Sequence, residues 1–293
     1  MTGLRSTPAR RFALRVLLYG GAFFVGLPLA FAHVMTRAIR LAPPSRPAPG
    51  YEEVFLRVDG LRLRAWVAAG DTARPAVVIV HGLGASIETE LERAALFRAR
   101  GLSVLLVDLR AHGGSEGSRT SLGGNERRDV LATIDLARER GLARAGVVLV
   151  GHSMGAVAVL RAAAGRGDVR AVVAEAPFDD YRSTIAHHAW LIYRVPAWLP
   201  IVPLAIAGAE RLAGFDADDV DAVAAARSVR APLLLIVDGG DPRMPEAVGR
   251  RVYDAHRGPK KLWVAPDVPH VGAILRPEYP TVVLGFLEEH GAI

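Results

Sequence analysis

Residues 146–164, GVVLVGHSMGAVAVLRAAA, carry the clearest structural signal in this chain. The stretch begins with a short apolar run typical of a buried parallel strand, and residues 154–164 have the composition of a helix. Between them lies Gly151-His152-Ser153-Met154-Gly155, a G-x-S-x-G pattern at a sharp strand-to-helix turn. Small residues flank the serine because such a turn is strained and crowds its backbone. Ser153 is therefore the first candidate nucleophile.

The rest of the body alternates short apolar runs with amphipathic segments. Asp59-Gly60, between Val54–Val58 and Leu61–Ala68, predicts a β-hairpin. The further predicted strands are Ala76–Val80, Ser103–Val107, Gly146–Val150, Val169–Ala174, Leu233–Val237 and Lys261–Ala265. The predicted helices are Ile87–Arg100, Asn125–Arg140, Met154–Ala164, Pro245–Ala255 and Pro280–Glu289. Repeated strand–helix units predict an α/β fold whose sheet is covered by helices on both faces.

One interval, residues 178–230, contains no clear strand. Its centre, AWLIYRVPAWLPIVPLAIAGA (189–209), is strongly apolar and is interrupted by three prolines. We interpret the interval as a helical cap inserted over the carboxyl ends of the strands, with Trp190, Trp198 and Leu199 as candidate substrate-binding residues. The alternative is an ordinary helical excursion packed on the edge of the sheet.

The amino-terminal segment has the features of a membrane signal. A basic segment, residues 1–15, precedes Val16–Thr36, which is 21 residues long and uncharged. That length suffices for a transmembrane helix, which needs about 20 apolar residues. Residues 37–50 are rich in proline and predict a stiff, extended spacer before the domain at 51–293. Four arginines before the helix against three after it favour a cytoplasmic amino terminus and an extracytoplasmic domain.

Three alternatives to a retained anchor remain open. Ala30-Phe31-Ala32 resembles a signal-peptide cleavage site, so the domain could be secreted or periplasmic. Arg10-Arg11 loosely resembles a twin-arginine signal. The segment could also be a buried core helix, although it lies outside the repeated strand–helix units.

Composition and charge exclude several classes of protein. Hydrophobic residues make up 51% of the chain and charged residues 23%, which fits a folded domain with a large core. The absence of cysteine excludes disulfide scaffolds, thiolate zinc sites and cysteine nucleophiles. Residues 1–46 hold seven arginines and no acid, and subtracting these from the formal +6 leaves −1 for the rest. We therefore expect no nucleic-acid partner and, without a metal or nucleotide motif, no metal or cofactor.

A serine nucleophile needs a base and an acid from elsewhere in the chain. His270 follows the last predicted strand and is the best candidate base. Asp241 follows the strand before it and is the preferred acid, with Asp238 as its rival and Asp179 and Asp180 as more distant ones. The competing histidines are less favourably placed: His81, His112, His152, His187 and His188. The backbone amides of Met154 and Leu83 are the candidate oxyanion donors.

Taken together, these residues resemble the α/β-hydrolase fold family. The matching motifs, over about residues 51–293, are His81-Gly82-Leu83-Gly84, Asp108-Leu109-Arg110-Ala111-His112-Gly113-Gly114-Ser115, Gly151–Gly155, Asp241-Pro242-Arg243-Met244-Pro245 and His270. The resemblance implies a mostly parallel eight-stranded sheet with a variable cap after the sixth strand. The chain departs from the family pattern at Ala111 and Asp238, where glycine is usual. It also resembles membrane-tethered serine hydrolases that act on esters, thioesters or lipids.

These observations predict a serine esterase acting on lipophilic acyl substrates through Ser153, His270 and Asp241. Two other classes remain open. One is a peptidase of the same fold, which needs an anchor for the substrate amine. The other is a catalytically inactive binding protein that keeps the fold.

Overall fold

The computed structural model describes residues 7–40 and 44–293. The start of the basic segment, residues 1–6, and residues 41–43 of the predicted spacer lie outside the described residues. The strands are β1 (Glu52–Val58), β2 (Leu61–Ala68), β3 (Ala76–Val80), β4 (Val104–Val107), β5 (Val147–His152), β6 (Val169–Glu175), β7 (Leu233–Asp238) and β8 (Lys260–Ala265).

The helices follow the same alternation along the chain. They are α1 (Pro8–Gly21), α2 (Leu27–Thr36), α3 (Leu91–Arg98), α4 (Glu126–Glu139), α5 (Met154–Ala163), α6 (Tyr181–Tyr193), α7 (Ile201–Ala213), α8 (Ala222–Ser228), α9 (Glu246–Ala255) and α10 (Tyr279–Glu289). A π-helical turn, Ala22–Gly26, joins α1 to α2, and short 3₁₀ turns lie at Ile87–Glu90 and Ala273–Leu275.

The eight strands form one sheet in the order β1-β2-β4-β3-β5-β6-β7-β8. The β1–β2 and β2–β4 pairs are antiparallel, and all later pairs are parallel. The central strands are buried along their whole length because each face of the sheet packs on its own apolar cluster. This confirms the predicted mostly parallel α/β sheet with helices on both faces.

The topology brings the functional side chains to one edge of the sheet. Parallel strands end at the same edge, and β3, β5, β6, β7 and β8 are consecutive neighbours there. Ser153 follows β5 directly, Asp241 lies just beyond β7, and His270 lies in the loop after β8. Ligands of open α/β sheets bind at this carboxyl edge.

A helical cap follows the sixth strand, as the resemblance implied. Helices α6, α7 and α8 lie between β6 and β7, and α6 begins at Tyr181, just after Asp180, whose side chain caps the helix by accepting the Ser183 amide at 2.9 Å. Side chains of α6 and α7 border the same cavity as Ser153. The cap therefore covers the carboxyl edge of the sheet.

The amino-terminal helix is continuous from Pro8 to Thr36 and is apolar and long enough to cross a membrane. Its length and composition are also those of a signal sequence. None of the residues of α1 is buried, whereas α2 buries Pro28, Ala32 and Thr36. These three residues lie one helical turn apart on a single face, and α2 packs against α7 of the cap. The helix therefore has a free half, up to Gly26, and a docked half, which is α2.

Residues 37–40, directly after this helix, lie along the domain. The Ala38 amide donates to the Ser118 carbonyl at 2.9 Å, and the Thr120 amide donates to the Thr36 carbonyl at 2.8 Å. The Arg40 guanidinium donates to the Ser115 carbonyl at 2.8 Å. Backbone pairing and this partly buried arginine contact hold residues 37–40 against the loop that precedes α4.

Candidate active site

Ser153 occupies a strained turn between β5 and α5. Its φ of 52° and ψ of −118° lie outside the ordinary regions for a residue with a side chain. A Cβ at position 151 would lie 2.4 Å from the Gly155 carbonyl oxygen, and one at position 155 would lie 2.4 Å from the Val80 carbonyl oxygen. Both glycines of the G-x-S-x-G pattern are thus required sterically. The turn holds the serine hydroxyl above the carboxyl edge of the sheet.

His270 bridges Ser153 and Asp241. Its Nε2 atom lies 2.9 Å from the Ser153 Oγ atom, and its Nδ1 atom lies 2.5 Å from the Asp241 Oδ2 atom. With Nδ1 protonated and donating to Asp241, Nε2 is free to accept the serine proton. The structure thus brings together the three residues predicted as nucleophile, base and acid.

Asp238, the rival acid, has a different partner. Its Oδ2 atom accepts the Val271 backbone amide at 2.7 Å, beside rather than on the His270 ring. Asp238, Asp241 and His270 present potential ligand atoms within 4.8 Å of one another. His270 Nδ1 and Asp241 Oδ2 already contact each other, and Asp238 Oδ2 already accepts the Val271 amide. The arrangement is that of a hydrogen-bonded triad with a carboxyl group supporting the histidine loop.

The two aspartates have opposite electrostatic environments. Burial raises the pKa of Asp241, but the hydrogen bond and charge of His270 outweigh it and bring that pKa below its usual value. Burial and the nearby Glu175 carboxylate raise the pKa of Asp238 to about 8. Asp241 is therefore ionised and Asp238 largely protonated at neutral pH. Only Asp241 can stabilise a protonated His270 by charge.

The predicted oxyanion donors flank the serine. A Cβ added to Gly82 would lie 3.3 Å from the Ser153 Cβ atom, so the loop carrying Leu83 touches the nucleophile. Within the described part of the chain, the Leu83 and Met154 amides have no hydrogen-bond acceptor. Leu83 and Met154 also border the cavity above Ser153. The two amides are available to a developing oxyanion there.

His81 supports this loop from below. Its Nε2 atom accepts the Leu109 amide at 3.0 Å, which leaves the proton on Nδ1 for donation to the Gly82 carbonyl at 2.7 Å. Burial, followed by the neighbouring His112, lowers the pKa of His81 to about 3. This histidine is therefore neutral over the working pH range and acts as a fixed support for the Gly82–Gly84 loop. The sequence placed His81 in the His81–Gly84 motif and among the weaker candidate bases, but it did not indicate this supporting role.

An apolar cavity of about 580 Å³ lies over Ser153 and His270. This volume falls within the roughly 300–1,000 Å³ typical of small-molecule sites. The cap helices supply much of its wall, with the side chains of Ile185, Ala189, Ile192, Val202 and Ala205. The reacting serine therefore opens into a largely apolar space.

The three cap residues expected to bind substrate lie outside this cavity wall. The wall residues of α6 recur every three or four positions, at Ile185, Ala189 and Ile192, so one face of the helix is used. Trp190 lies on another face and is 51% exposed, and Trp198 is 80% exposed in the loop before α7. Leu199, in the same loop, also does not line the cavity. Apolar composition identified the cap but not the face that points inward.

The docked half of the amino-terminal helix supplies a further part of the wall. Phe31, Val34 and Met35 of α2 border the cavity, and the Phe31 ring packs edge-on against Tyr193 with centroids 4.9 Å apart. These residues were missed because the apolar run was interpreted as lying outside the fold. No local pattern specifies a contact between segments so far apart in sequence.

A buried charged cluster underlies the triad. Arg93 donates to the Glu175 carboxylate at 3.1 Å and to the Val271 carbonyl at 3.2 Å. Glu175 accepts the Ala273 amide at 3.1 Å, and His152 Nδ1 lies 3.1 Å from Glu90. Arg93 and Glu175 therefore clamp the loop that carries His270. Sequence patterns alone did not mark this cluster, because its members come from four separate elements.

Comparison with known proteins agrees with this geometry. The family described as serine aminopeptidase, S33, matches residues 71–209. The Bacillus subtilis protein YqkD is 32% identical over 206 residues, which cover 70% of this chain and 67% of YqkD. The chain belongs to the α/β-hydrolase fold family. The matched region includes Ser153 and ends before Asp241 and His270, so the assignment of those two residues rests on geometry.

Two further comparisons extend over most of the chain. The Mycobacterium tuberculosis protein Rv2307c is 28% identical over 255 residues, which cover 83% of each chain. The solved structure of the Pyrococcus furiosus esterase Pf2001 superposes with a TM-score of 0.69 at 24% identity, covering 88% of this chain and 98% of that one. At this identity the superposition establishes the shared fold.

Proposed function

We propose that this protein is a serine hydrolase that cleaves carboxylic ester or thioester bonds of lipophilic acyl substrates. The observation that carries the proposal is the Ser153–His270–Asp241 chain of contacts, 2.9 Å and 2.5 Å long, at the base of an apolar cavity. Nucleophile, base and orienting acid are the set required for acyl transfer by serine.

The proposed reaction runs in two halves. Ser153 Oγ attacks the acyl carbonyl carbon while His270 Nε2 takes its proton, and the Leu83 and Met154 amides stabilise the oxyanion. The bond to the leaving alcohol or thiol breaks as His270 returns the proton to it, leaving an acyl-serine. Water then attacks with the same base, and the acid and free serine are released.

The cavity favours an acyl chain over a polar substrate. Its cap wall is formed mostly by aliphatic side chains, although Thr184, His188 and Tyr193 also line it, and the wall from α2 adds Phe31, Val34 and Met35. Burial of each methylene group from water contributes about 0.8 kcal/mol, so a longer chain gains affinity until the cavity is filled. We therefore expect kcat/KM to rise with chain length and then to fall.

A peptidase is the second candidate because the matched family is described as a serine aminopeptidase. Such an enzyme needs a free carboxylate to bind the substrate amine. Glu90 borders the cavity, but its side chain faces His152 at 3.1 Å and Arg93 at 3.7 Å. Because Arg93 compensates its charge and His152 lies against one of its oxygens, we favour the esterase. Cleavage of aminoacyl amides without cleavage of acyl esters would reverse this preference.

The deciding experiment is labelling of the full chain in detergent with a fluorophosphonate probe. Labelling that disappears in Ser153→Ala is the expected result, followed by a p-nitrophenyl ester series ordered by chain length. A well-folded protein that does not label would contradict the proposal and favour an inactive binding protein of the same fold.

We also propose that the amino-terminal helix is retained as an anchor, with the domain on the extracytoplasmic side. Cleavage after Ala32 would remove Phe31 from the cavity wall and strip Pro28 and Ala32 from their packing on α7. The amino-terminal sequence and protease accessibility of the protein in intact cells test retention and orientation. A mature amino terminus at His33 would contradict retention.

A further inference from the structure

The apolar run at the amino terminus is long enough to cross a membrane, and its second half also packs on the cap. Val16–Thr36 extends about 31 Å as a helix, about the thickness of the hydrocarbon core. Its second half, α2, is packed on α7 over ten residues, or about 15 Å. If the whole run crosses the bilayer, α7 lies at the depth of one leaflet.

The cap surface around α2 has the composition expected at that depth. Between Ser183 and Ala209 the only charged residue is Arg194. The large exposed apolar side chains of this region are Trp190, Ile192, Tyr193, Trp198 and Leu204. Arg194 lies 5.7 Å from the ring of Trp190, at the end of α6. Tryptophan, tyrosine and arginine together are typical of a membrane–water interface.

One side of the cavity mouth belongs to the same surface. Among the lining residues on that side, Val34 is 46% exposed, Ile192 60% and Tyr193 52%. These rim residues come from α2 and α6, next to the exposed tryptophans. The other side of the mouth carries the exposed residues Leu83, Thr89 and Arg243. The opening therefore meets the apolar surface along its α2 and α6 side.

We propose that α2 and the cap insert together into one leaflet of the bilayer, and that the acyl chain of a lipid ester enters the cavity directly from that leaflet. The lipid-facing surface consists of Val34, Trp190, Ile192, Tyr193, Trp198 and Leu204. The entry of substrate rests on the proposed ester hydrolysis, whereas the insertion of the cap does not. The free helix half, Val16–Gly26, spans the opposite leaflet.

Tryptophan fluorescence tests the insertion without any activity measurement. The chain has four tryptophans, of which Trp66 is fully buried and Trp263 lies on the edge strand β8. The full chain is reconstituted in vesicles of phosphatidylcholine and phosphatidylglycerol whose acyl chains carry bromine. We expect bromine to quench the wild-type fluorescence, the Trp190→Phe,Trp198→Phe double variant to lose most of that quenching, and Trp263→Phe to keep it.

Three results would overturn the insertion. The first is equal quenching in the double variant, which would trace the quenching to another tryptophan. The second is no quenching in membrane-bound protein. The third is a cross-linked dimer whose tryptophans are shielded, which would assign the surface to a second copy of the chain.

Substrate entry is tested separately with Trp198→Glu, whose side chain lies outside the cavity. We expect hydrolysis of a long-chain ester in vesicles to fall about fivefold or more. Hydrolysis of a soluble acetyl ester and labelling of Ser153 should stay within about twofold. Phe55→Glu, at an exposed aromatic on β1, is the matched control and should change neither.

Unchanged vesicle hydrolysis in Trp198→Glu would overturn entry from the leaflet. Loss of Ser153 labelling in wild type would instead refute the proposed function and leave insertion standing.

Discussion

Gly208 of α7 lies directly against Ala32 of α2: a Cβ atom at position 208 would come within 2.9 Å of the Ala32 Cβ atom. Glycine in a helix interior costs about 1 kcal/mol relative to alanine. At this position it allows two helices to approach closely, as small residues do in membrane helix pairs.

Gly208→Leu should therefore separate α2 from the cap. We expect destabilisation of about 1–3 kcal/mol, because a leucine side chain cannot be placed without moving one helix. The melting temperature in detergent and the chain-length profile of ester hydrolysis would both change. Gly285→Leu, on the exposed face of α10 where nothing lies within 4 Å, is the matched control. Equal stability of the two variants would show that the helices do not pack as described.

Asp241 and Asp238 should differ strongly in their effect on catalysis. Asp241→Asn removes the charge that faces His270 Nδ1 and favours the wrong tautomer, so we expect kcat to fall by about 10⁴. Asp238→Asn keeps an acceptor for the Val271 amide, and its effect on kcat should be below about tenfold. The comparison uses one soluble ester at saturating concentration. The reverse order of effects would identify Asp238 as the acid.

Asp238 also predicts a pH dependence of stability. Its pKa is about 8 in the folded protein, raised by burial and by Glu175, against about 3.9 in an unfolded chain. Between about pH 4 and about pH 8 the folded state therefore keeps the Asp238 proton that the unfolded chain loses. The resulting contribution to the free energy of unfolding is fully present below about pH 4. It is lost as the pH rises through about 8. In chemical denaturation, the free energy of unfolding of wild type minus that of Asp238→Asn should fall from pH 5 to pH 8.5. A difference that rises with pH would refute the raised pKa of Asp238.

Arg93 should be structurally indispensable despite bordering the cavity. Arg93→Met leaves Glu175 buried without its partner, and breaking a buried pair costs about 3–5 kcal/mol. The His270 loop also loses its contact with the arginine at the Val271 carbonyl, so kcat should fall more than KM rises. Arg100→Met, whose pair with Glu288 is exposed, should change stability by less than about 1 kcal/mol. Similar melting temperatures for both variants would argue against the clamp.

Ala189 should set the longest acyl chain that the cavity accepts. It lies on the inward face of α6, so Ala189→Phe fills space that a substrate chain would occupy. We expect the optimum of the p-nitrophenyl ester series to move to shorter chains, with acetate hydrolysis preserved. Ala197→Phe makes the same change at an exposed position in the loop before α7 and should leave the profile as in wild type. An unchanged optimum in Ala189→Phe would place the acyl chain elsewhere.

Much of this molecule is specified by patterns that operate over a few residues. Strands and helices follow apolar periodicity, and the serine turn follows the steric demand for glycine at 151 and 155. Because parallel strands end at a common edge, the order of Ser153, Asp241 and His270 along the chain was enough to predict that they meet. The choice between Asp241 and Asp238 required the loop geometry, since both follow β7 by a few residues.

The sequence by itself determined the α/β sheet and the existence of the cap, and it identified Ser153 and His270 as the candidate nucleophile and base, because each depends on local periodicity and on the rules of parallel-sheet topology. Only the tertiary structure decided which cap face lines the cavity, that α2 completes its wall, and that Arg93 and Glu175 hold the His270 loop. Those features depend on contacts between segments far apart in the chain. Their apolar or charged side chains are compatible with many partners, and only packing in three dimensions selects one.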